Sequence, residues 1–285
     1  MPRTLRTETE DGVRSIVLCR ADEYNTITPE LRDELGAAID DADADPGVKV
    51  ILLRAEGPAF CAGYGLDWAT ELQAEAARSE RAWDSTADYR GMSSFVNTYQ
   101  KLWYASKPSV AAVQGWCICG GTDLVLWSDL IVAADTAVFG YPTSRLWGVP
   151  TTAMWVYRIG FERAKRYLLT GDEIPAPEAA RIGLILEAVP AAELDGHAAA
   201  LAARIARLPL NQLQMIKLYA NQVAENMGIA SLRTLGILFD GVARHTQEGL
   251  DFVALARDRG FREAVRLRDD PFGDYGSRPR TKKTE

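Results

Sequence analysis

The first half of the chain begins with two short apolar segments that are separated by an amphipathic one. Residues 13–20 and 48–57 are rich in β-branched side chains and too short for buried helices, so they predict strands. Between them, Thr28 and Pro29 have the character of a helix N-cap and a first helical residue. The predicted helix carries apolar side chains along one face, at Leu31, Leu35 and Ile39.

Two further apolar segments follow, at residues 109–115 and 129–135. Because almost every position in them is apolar, we expect strands that are buried on both faces. The sequence between them contains a glycine-rich turn that opens a short helix. This alternation of strands and helices implies an α/β fold with crossover helices.

Residues 68–106 have a different composition. Their first part is polar and helix-favouring, their second part is aromatic, and all seven tryptophans of the chain lie between residues 68 and 155. These aromatic side chains either pack a concentrated core or line a pocket beneath a lid formed by residues 68–104.

The second half of the chain is predicted to be helical. Gly183 has the position of a C-cap, and the last eight residues form a basic tail that we expect to be a solvated end. Helical periodicity covers residues 161–169, 176–183, 193–208, 210–228 and 231–268.

Charge and length exclude several classes of protein. The chain has 285 residues and a net charge of −7, which gives no general attraction to nucleic acid or anionic membranes. No apolar run is long enough for a membrane-spanning helix. The first twelve residues lack the apolar stretch of a secretory signal, so the expected location is the cytoplasm.

Cysteine and histidine give little support to metal or nucleophilic chemistry. The four cysteines lack the spacing of a zinc site, and we expect reduced, buried thiols at Cys19, Cys61, Cys117 and Cys119. His197 and His245 lie on predicted surface helices, with no GxSxG motif or reactive cysteine nearby in sequence. A serine or cysteine hydrolase is therefore poorly supported, and no metal site is expected.

Two glycine-containing turns are the strongest candidates for a site. Residues 60–67 and 115–124 each follow a predicted strand, and neither matches a nucleotide-binding fingerprint. The second turn places backbone N–H groups at a helix N-terminus, where negative charge is favoured. Two such groups converging on one oxygen would form an oxyanion hole, although both turns are also compatible with ordinary strand–helix connections.

These segments together resemble the enoyl-CoA hydratase/isomerase (crotonase) family over residues 5–265. The motifs that carry the resemblance are residues 20–25, FCAGYGL, KPSVAAVQG, GGTDLVLWSDLIVAAD, FGYP and LLTGDEIPAPEAARIGLILEAVP. The resemblance implies an α/β fold in which ββα units form a spiral core over residues 1–205. It also implies a C-terminal helical region over 206–285 that drives assembly into a homotrimer or a dimer of trimers.

The resemblance also assigns residues to an acyl-CoA site. The family's two oxyanion-hole amides correspond to the backbone N–H groups of Tyr64 and Gly120, which would hold the thioester oxygen of the substrate as it becomes enolate-like. Coenzyme A would enter only as part of that substrate, with no separate cofactor, and a role in fatty-acid metabolism would follow. Further substrate-binding positions are Ala62, Gly63, Leu66, Trp68, Gly121, Tyr141 and Thr143.

The acidic residues depart from the family pattern. The first of the two glutamates of the hydratases corresponds to Asp123, and the second corresponds to Thr143. A position that is acidic in the dienoyl-CoA isomerases is Thr151. Loss of one acid should impair hydration, because acid–base transfer contributes about 10²–10⁴-fold to rates. A single carboxylate still permits isomerisation, racemisation or assisted C–C cleavage.

Two questions stay open at this stage. Asp123 lies in a helix first turn, where the dipole lowers its pKa, whereas burial in an acyl pocket would raise it; it is either a proton shuttle or a helix-start acid. Coenzyme A phosphates prefer basic partners, yet Asp67 and residues 20–25 are largely acidic. Arg20 or basic residues of the C-terminal region of a neighbouring subunit are the candidate substitutes.

Three functions are therefore compatible with the sequence. The first is an acyl-CoA enzyme that stabilises a thioester enolate and uses Asp123 as its only acid or base. The second is a catalytically inactive acyl-CoA-binding paralogue. The third is a hydrolase or C–C lyase acting on a cyclic ketone. The three aromatic residues near the predicted site, Tyr64, Trp68 and Tyr141, favour a ring-containing acyl group.

Overall fold

The computed structural model describes residues 4–65 and 82–275 of the chain. The strands are β1 Leu5–Glu10, β2 Val13–Leu18, β3 Val50–Ala55, β4 Ala59–Cys61, β5 Ser109–Val113, β6 Trp116–Ile118, β7 Leu130–Ala134, β8 Val138–Gly140, β9 Ile174–Pro175 and β10 Glu187–Val189. The α-helices are α1 Pro29–Ala44, α2 Ser85–Tyr104, α3 Gly120–Val125, α4 Met154–Thr170, α5 Ala176–Ile182, α6 Leu194–Ala206, α7 Leu210–Asn226, α8 Ile229–Arg244, α9 Gln247–Arg259 and α10 Phe261–Asp269.

Ten strands form two sheets in the described part of the chain. The larger sheet has the order β1-β2-β3-β5-β7-β10, and all its pairings are parallel except that of the β1–β2 hairpin. The smaller sheet has the order β4-β6-β8-β9, with β4, β6 and β8 mutually parallel. Both sheets are thus built around parallel strands, which need crossover connections.

Successive pairs of strands contribute one strand to each sheet. β3, β5 and β7 lie in the larger sheet, and the strands that follow them, β4, β6 and β8, lie in the smaller one. A helix follows each pair: α2, α3 and α4. This repetition is the predicted spiral of ββα units, and the α/β fold class is confirmed.

The helices and strands predicted from periodicity occur where expected. The Thr28 hydroxyl accepts a hydrogen bond from the Leu31 backbone N–H at 3.2 Å and caps α1, as predicted. Every residue of β5 is buried, which confirms burial on both faces of that strand. The sequence did not predict β1 or the three-residue strand β6, because exposed polar positions in β1 and the brevity of β6 hide the strand pattern.

The periodic stretch between Ser231 and Arg268 is divided into three helices. α8 ends at Arg244, α9 begins after the Thr246 N-cap, and Gly260, with a φ of +83°, separates α9 from α10. Helices α9 and α10 form a second, smaller apolar core with the loop that follows β8, made of Trp147, Phe252, Val253, Ala256 and Ala264. The C-terminal helices therefore pack against the site-bearing loop as well as against α2.

The aromatic residues serve both of the predicted purposes. Trp127 and Trp155 are fully buried in the main core, whereas Trp83 and Trp147 line the cavity described below. The predicted lid lies partly outside the described residues, as do the predicted site residues Leu66 and Trp68. Within the described part, no helix is long and apolar enough to cross a membrane.

Candidate active site

Three turns of the smaller sheet meet at one edge of it. β4, β6 and β8 are parallel neighbours, with Cys61 beside Cys117 and Ile118 beside Gly140. Carboxyl ends of parallel strands lie at the same sheet edge, the usual position of ligand sites in α/β folds. Residues 62–65, 119–123 and 141–143 follow these three strand ends and are thereby brought together.

The residues on either side of Tyr64 are fixed by backbone hydrogen bonds that do not involve the Tyr64 N–H. The N–H of Ala62 donates to the Tyr24 carbonyl at 3.1 Å, and that of Gly65 donates to the Ile27 carbonyl at 2.8 Å. Gly63 turns the chain with a φ of +96°, a conformation that glycine adopts readily. Within the described residues, the Tyr64 N–H has no backbone acceptor, so it is available to a ligand.

The Gly120 backbone N–H lies beside the first turn. Cys119 has a φ of +51°, which is uncommon for a residue other than glycine, and α3 begins immediately after it. Gly120 is the first residue of α3, where an N–H group has no intrahelical partner. A methyl group added to Gly63 would lie 3.5 Å from the Gly120 nitrogen, so the two turns are in close contact.

A cavity of about 1190 Å³ opens at these turns. Its wall includes Ala62, Tyr64, Gly120, Tyr141 and Thr143, which were all predicted as site residues. Three other predicted site residues, Gly63, Gly121 and Asp123, lie behind the described wall. Other parts of the wall come from α1, from α2 and the residues before it, from the loop that follows β8, and from α8, α9 and α10.

Asp123 is completely buried behind Tyr141. Its Oδ2 accepts a hydrogen bond from the Tyr141 hydroxyl at 3.2 Å, and its Oδ1 accepts one from the Thr151 backbone N–H at 3.2 Å. Burial raises the pKa of Asp123 to about 8, while the hydrogen bonds to Thr151 and Tyr141 oppose the rise. Burial is the largest influence on this pKa, and it acts in the raising direction.

The Asp123–Tyr141 contact supports either protonation state of the carboxyl group. The Tyr141 hydroxyl lies 3.2 Å from the Val149 carbonyl as well as from Asp123. When Asp123 is protonated, it can donate to Tyr141 while Tyr141 donates to Val149. When Asp123 is ionised, Tyr141 donates to it instead. A proton can therefore move between the buried carboxyl group and a hydroxyl in the cavity wall.

Thr143, at the position that corresponds to the second glutamate of the hydratases, is a neutral residue. Its hydroxyl donates a hydrogen bond to the Cys119 sulfur at 3.7 Å. Its side chain also packs closely against Gly148, since a methyl group added to that glycine would lie 2.6 Å from the Thr143 side chain. The Thr151 side-chain oxygen is buried and has no hydrogen-bond partner among the described residues. Among the described residues, no group of three His, Cys, Asp or Glu side chains could hold a metal ion.

The Tyr64 side chain forms an aromatic wall beside the two amides. Its ring meets Phe95 edge-on, with centroids 5.6 Å apart, and its hydroxyl accepts a hydrogen bond from the Tyr99 hydroxyl at 3.2 Å. A methyl group on Gly120 would lie 2.8 Å from the ring, so the ring covers this glycine closely. Burial raises the pKa of Tyr64 well above its usual value, which keeps the phenol neutral.

A second polar group of side chains lies across the cavity. Arg244, at the end of α8, forms ion pairs with Asp88 of α2 at 3.0 Å and with Asp240 at 3.1 Å. Next to it, the His245 ring stacks on Trp83 with centroids 4.3 Å apart. All five residues line the cavity.

Basic side chains occupy another part of the wall. Arg32, Arg257 and Arg268 line the cavity, and Arg32 also lies over the Phe95 ring. Arg20, the candidate phosphate partner in the first loop, pairs with Glu23 and donates to the Thr26 carbonyl. The three arginines of the wall are also paired, with Asp33, Asp258 and Asp269 in turn. Basic groups are thus present in this subunit's own C-terminal helices.

Comparison with known proteins decides the family. The sequence model described as enoyl-CoA hydratase/isomerase matches residues 8–261. The chain belongs to the enoyl-CoA hydratase/isomerase family. A crystal structure of an enoyl-CoA hydratase from Mycobacterium smegmatis is 43% identical, covers 98% of this chain and 97% of its own, and superimposes with a TM-score of 0.91.

Curated members of the enoyl-CoA hydratase/isomerase family are also similar. A putative enoyl-CoA hydratase of Thermus thermophilus is 33% identical over 198 residues, which cover 68% of this chain and 74% of that protein. A hydroxycinnamoyl-CoA hydratase-lyase of Pseudomonas fluorescens is 29% identical over 204 residues, covering 67% of this chain and 68% of that protein.

Sequence reasoning missed the part of this enoyl-CoA hydratase/isomerase family site that comes from distant segments. Asp88, Asp240 and Arg244 carry no motif, and the Asp88–Arg244 contact joins positions 156 residues apart. His245, predicted to lie on a surface helix, directly follows the last residue of α8 and lines the cavity. The cysteines are free thiols, but Cys19 and Cys119 are partly exposed rather than buried.

Proposed function

We propose that this enzyme stabilises the enolate of an acyl-CoA thioester and moves a proton with Asp123. The observation that carries the proposal is the position of two available amides, Tyr64 and Gly120, beside a buried carboxyl group whose pKa is raised to about 8. Each oxyanion-hole donor is typically worth about 2.7–4 kcal/mol of transition-state stabilisation. A pKa near the working pH suits an acid–base group.

The proton moves through Tyr141. The phenol oxygen takes the proton from the carbon next to the thioester carbonyl as its own proton passes to the Asp123 carboxylate. The electron pair of the broken C–H bond becomes the enolate, whose oxygen is held by the two amides. Reversal of the relay at another carbon of the enolate yields an isomer, without gain or loss of atoms.

Isomerisation or another enolate reaction fits the site better than hydration. The hydratases use two glutamates to position and deprotonate water, and Thr143 supplies no carboxylate at the second position. Asp123 itself lies behind Tyr141 and outside the described cavity wall, so it is poorly placed to hold a water molecule beside the substrate.

The cavity favours a bulky, ring-containing acyl group. Its volume of about 1190 Å³ exceeds the upper end of ordinary ligand pockets, near 1,000 Å³, and Tyr64 and Phe95 offer aromatic surface for stacking. One relative carries an aromatic acyl-CoA in its name, hydroxycinnamoyl-CoA hydratase-lyase. Arg32, Arg257 and Arg268 supply the positive charge that coenzyme A phosphates require.

We also propose assembly into a homotrimer or a dimer of trimers. The supporting observation is a set of exposed apolar side chains on α7 and α8: Met215, Ile216, Leu218, Tyr219, Val223, Leu232, Leu235, Leu238, Phe239 and Val242. Exposed apolar surface of this extent is typical of protein interfaces. Light scattering of the purified protein, coupled to size-exclusion chromatography, measures the assembly directly.

A binding screen separates this function from its alternatives. Acyl-CoA thioesters, free acids and cyclic ketones are each titrated into the purified protein. Turnover of every compound that binds is then followed. The proposal expects binding and turnover of thioesters. Thioester binding without any turnover identifies an inactive acyl-CoA-binding paralogue, which the threonines at positions 143 and 151 would explain. Turnover of cyclic ketones alone identifies a hydrolase or C–C lyase.

A further inference from the structure

Arg244 donates hydrogen bonds to both carboxylate oxygens of Asp88 but to only one of Asp240. Asp88 is engaged through both oxygens, which accept hydrogen bonds from Arg244 Nη1 at 3.0 Å and Nη2 at 3.1 Å. Asp240 accepts from Arg244 through one oxygen only, Oδ2, which receives the Nε–H at 3.1 Å. Burial raises the pKa of Asp240, while Arg244 and the Val149 backbone act to lower it.

Asp240 therefore keeps capacity to accept a further hydrogen bond. A carboxylate offers about four lone-pair positions on its two oxygens, and the hydrogen bond from Arg244 occupies one of them. The residue is only 7% exposed, yet it lines the cavity. A ligand in the cavity is the available partner for the remaining positions.

The net charge of the Asp88, Asp240 and Arg244 side chains determines which kind of ligand Asp240 favours. Two carboxyl groups share one guanidinium, and among the described residues neither carboxyl group has a second cationic partner. A ligand carboxylate would add a third acidic group to this site. A hydroxyl group, by contrast, would donate a hydrogen bond to Asp240 without adding charge.

The position of Asp240 connects it to the acyl part of the cavity. Its charge raises the pKa of Tyr64, Tyr141 and Asp123, and both tyrosines line the same cavity as Asp240. The stacked rings of Trp83 and His245 are next to Arg244 and also line it. A ring-bearing ligand in this cavity therefore meets both aromatic surface and the Asp240 carboxylate.

We propose that Asp240, held in place by Arg244, determines specificity by accepting a hydrogen bond from a hydroxyl group on the ring of the acyl substrate. This inference rests on the proposed acyl-CoA function and names the substrate class more closely. Asp240 thereby acts in recognition, whereas Asp123 acts in proton transfer.

The test measures dissociation constants by calorimetry for 3-phenylpropanoyl-CoA and its 2-, 3- and 4-hydroxyphenyl counterparts. These thioesters have no double bond to hydrate, so binding is measured without net turnover. At least one hydroxylated thioester should bind the unmodified enzyme about tenfold more tightly than the parent, as expected for a hydrogen bond to a charged group. Asp240→Ala should abolish this preference, and Asp240→Asn should reduce it about threefold or more, because a neutral acceptor is weaker.

Asp84→Asn is the matched control. Asp84 also lines the cavity and caps α2 through hydrogen bonds from Thr86 and Ala87, and asparagine caps helices equally well. This variant loses one acidic group of the wall and should retain the preference for the hydroxylated thioester. If Asp240→Ala does not fold, as judged by its thermal midpoint, Asp240→Asn decides the question alone.

Three results would overturn the inference. Equal affinity of the unmodified enzyme for all four thioesters is one, and a preference that persists in the Asp240 variants is another. A third is a loss of deuterium exchange beside the carbonyl of 3-phenylpropanoyl-CoA in Asp240→Asn with unchanged relative affinities, which would make Asp240 part of the reaction chemistry. Failure of the parent thioester to bind the unmodified enzyme is a different outcome, since it contradicts the proposed function itself.

Discussion

Tyr141 stands between Asp123 and the cavity, with its hydroxyl 3.2 Å from Asp123 Oδ2. Tyr141 lines the cavity, and Asp123 is completely buried. Any proton that passes between a ligand and the carboxyl group by this contact must therefore pass the phenol. The arrangement also explains the raised pKa of Asp123, because the phenol and the Thr151 amide replace only part of the water that an exposed carboxylate would bind.

Asp123→Asn should change stability in a pH-dependent way. Burial raises the pKa of Asp123 from about 3.8 to about 8 in the folded protein, so folding favours the protonated form. This contribution to the free energy of unfolding is fully present below pH 4 and is lost as pH rises to about 8. Asparagine cannot ionise and can donate to Tyr141 as the protonated acid does. The variant should therefore be slightly more stable than the unmodified protein at pH 5, and the difference should grow as pH rises to 9.

Urea unfolding at pH 5, 7 and 9 measures this difference. A variant that is less stable by about 0.3–1 kcal/mol at all three pH values would instead identify Asp123 as a helix-dipole residue.

Tyr141→Phe should disable the proton relay while the buried carboxyl group remains. We expect turnover to fall by about 10²–10⁴-fold, the usual range for loss of acid–base transfer. Stability should fall by about 1–3 kcal/mol, because the Val149 carbonyl and Asp123 lose a buried partner. Tyr167→Phe is the control, since that hydroxyl bonds to Glu178 and Tyr167 lies outside the described cavity wall. Full activity in Tyr141→Phe would remove Tyr141 from the mechanism.

Hydration of crotonyl-CoA should be slow. Thr143 provides no second carboxylate, and Asp123 lies outside the described cavity wall. Loss of absorbance of the conjugated thioester measures the rate with purified protein. A turnover near the median enzyme value of about 10 s⁻¹ would show that one acid is enough for hydration.

Tyr64→Ala should reduce the preference for ring-containing acyl groups over short linear ones. Its ring is the aromatic wall next to the predicted oxyanion amides, and an aromatic pair contributes about 0.5–1.5 kcal/mol beyond buried area. A competition series of thioesters from acetyl to aromatic acyl groups measures the preference, and Tyr64→Phe should retain it. Equal binding of short and ring-containing thioesters by the unmodified enzyme would mean that the aromatic residues only pack the core.

The sequence predicted those parts of the site that local patterns determine. Thr28 and Pro29 identified the start of α1, and glycine-containing turns after apolar strands gave the two candidate site segments, in which the family resemblance assigned Tyr64 and Gly120. These features depend on residues close together in the chain. The long family motifs added Asp123 and Thr143.

Features that depend on tertiary contact could not be predicted in this way. The Asp88–Arg244 ion pair joins α2 to α8 across 156 positions, and neither segment contains a motif. The pKa of Asp123 depends on the balance between helix dipole and burial, and burial is a property of the folded chain. The same is true of Tyr141, whose role follows from its place between the carboxyl group and the cavity.

Exchange of the hydrogens next to the thioester carbonyl tests the central claim most directly, because it reports enolate formation whatever the final product. 3-Phenylpropanoyl-CoA is incubated with the enzyme in deuterium oxide, and label at the carbon beside the carbonyl is followed by mass spectrometry. We expect exchange that becomes faster as pH rises towards about 8, where Asp123 ionises, and no exchange above background with Asp123→Asn. Bound thioester that does not exchange with the unmodified enzyme, or exchanges equally fast with Asp123→Asn, would contradict the account.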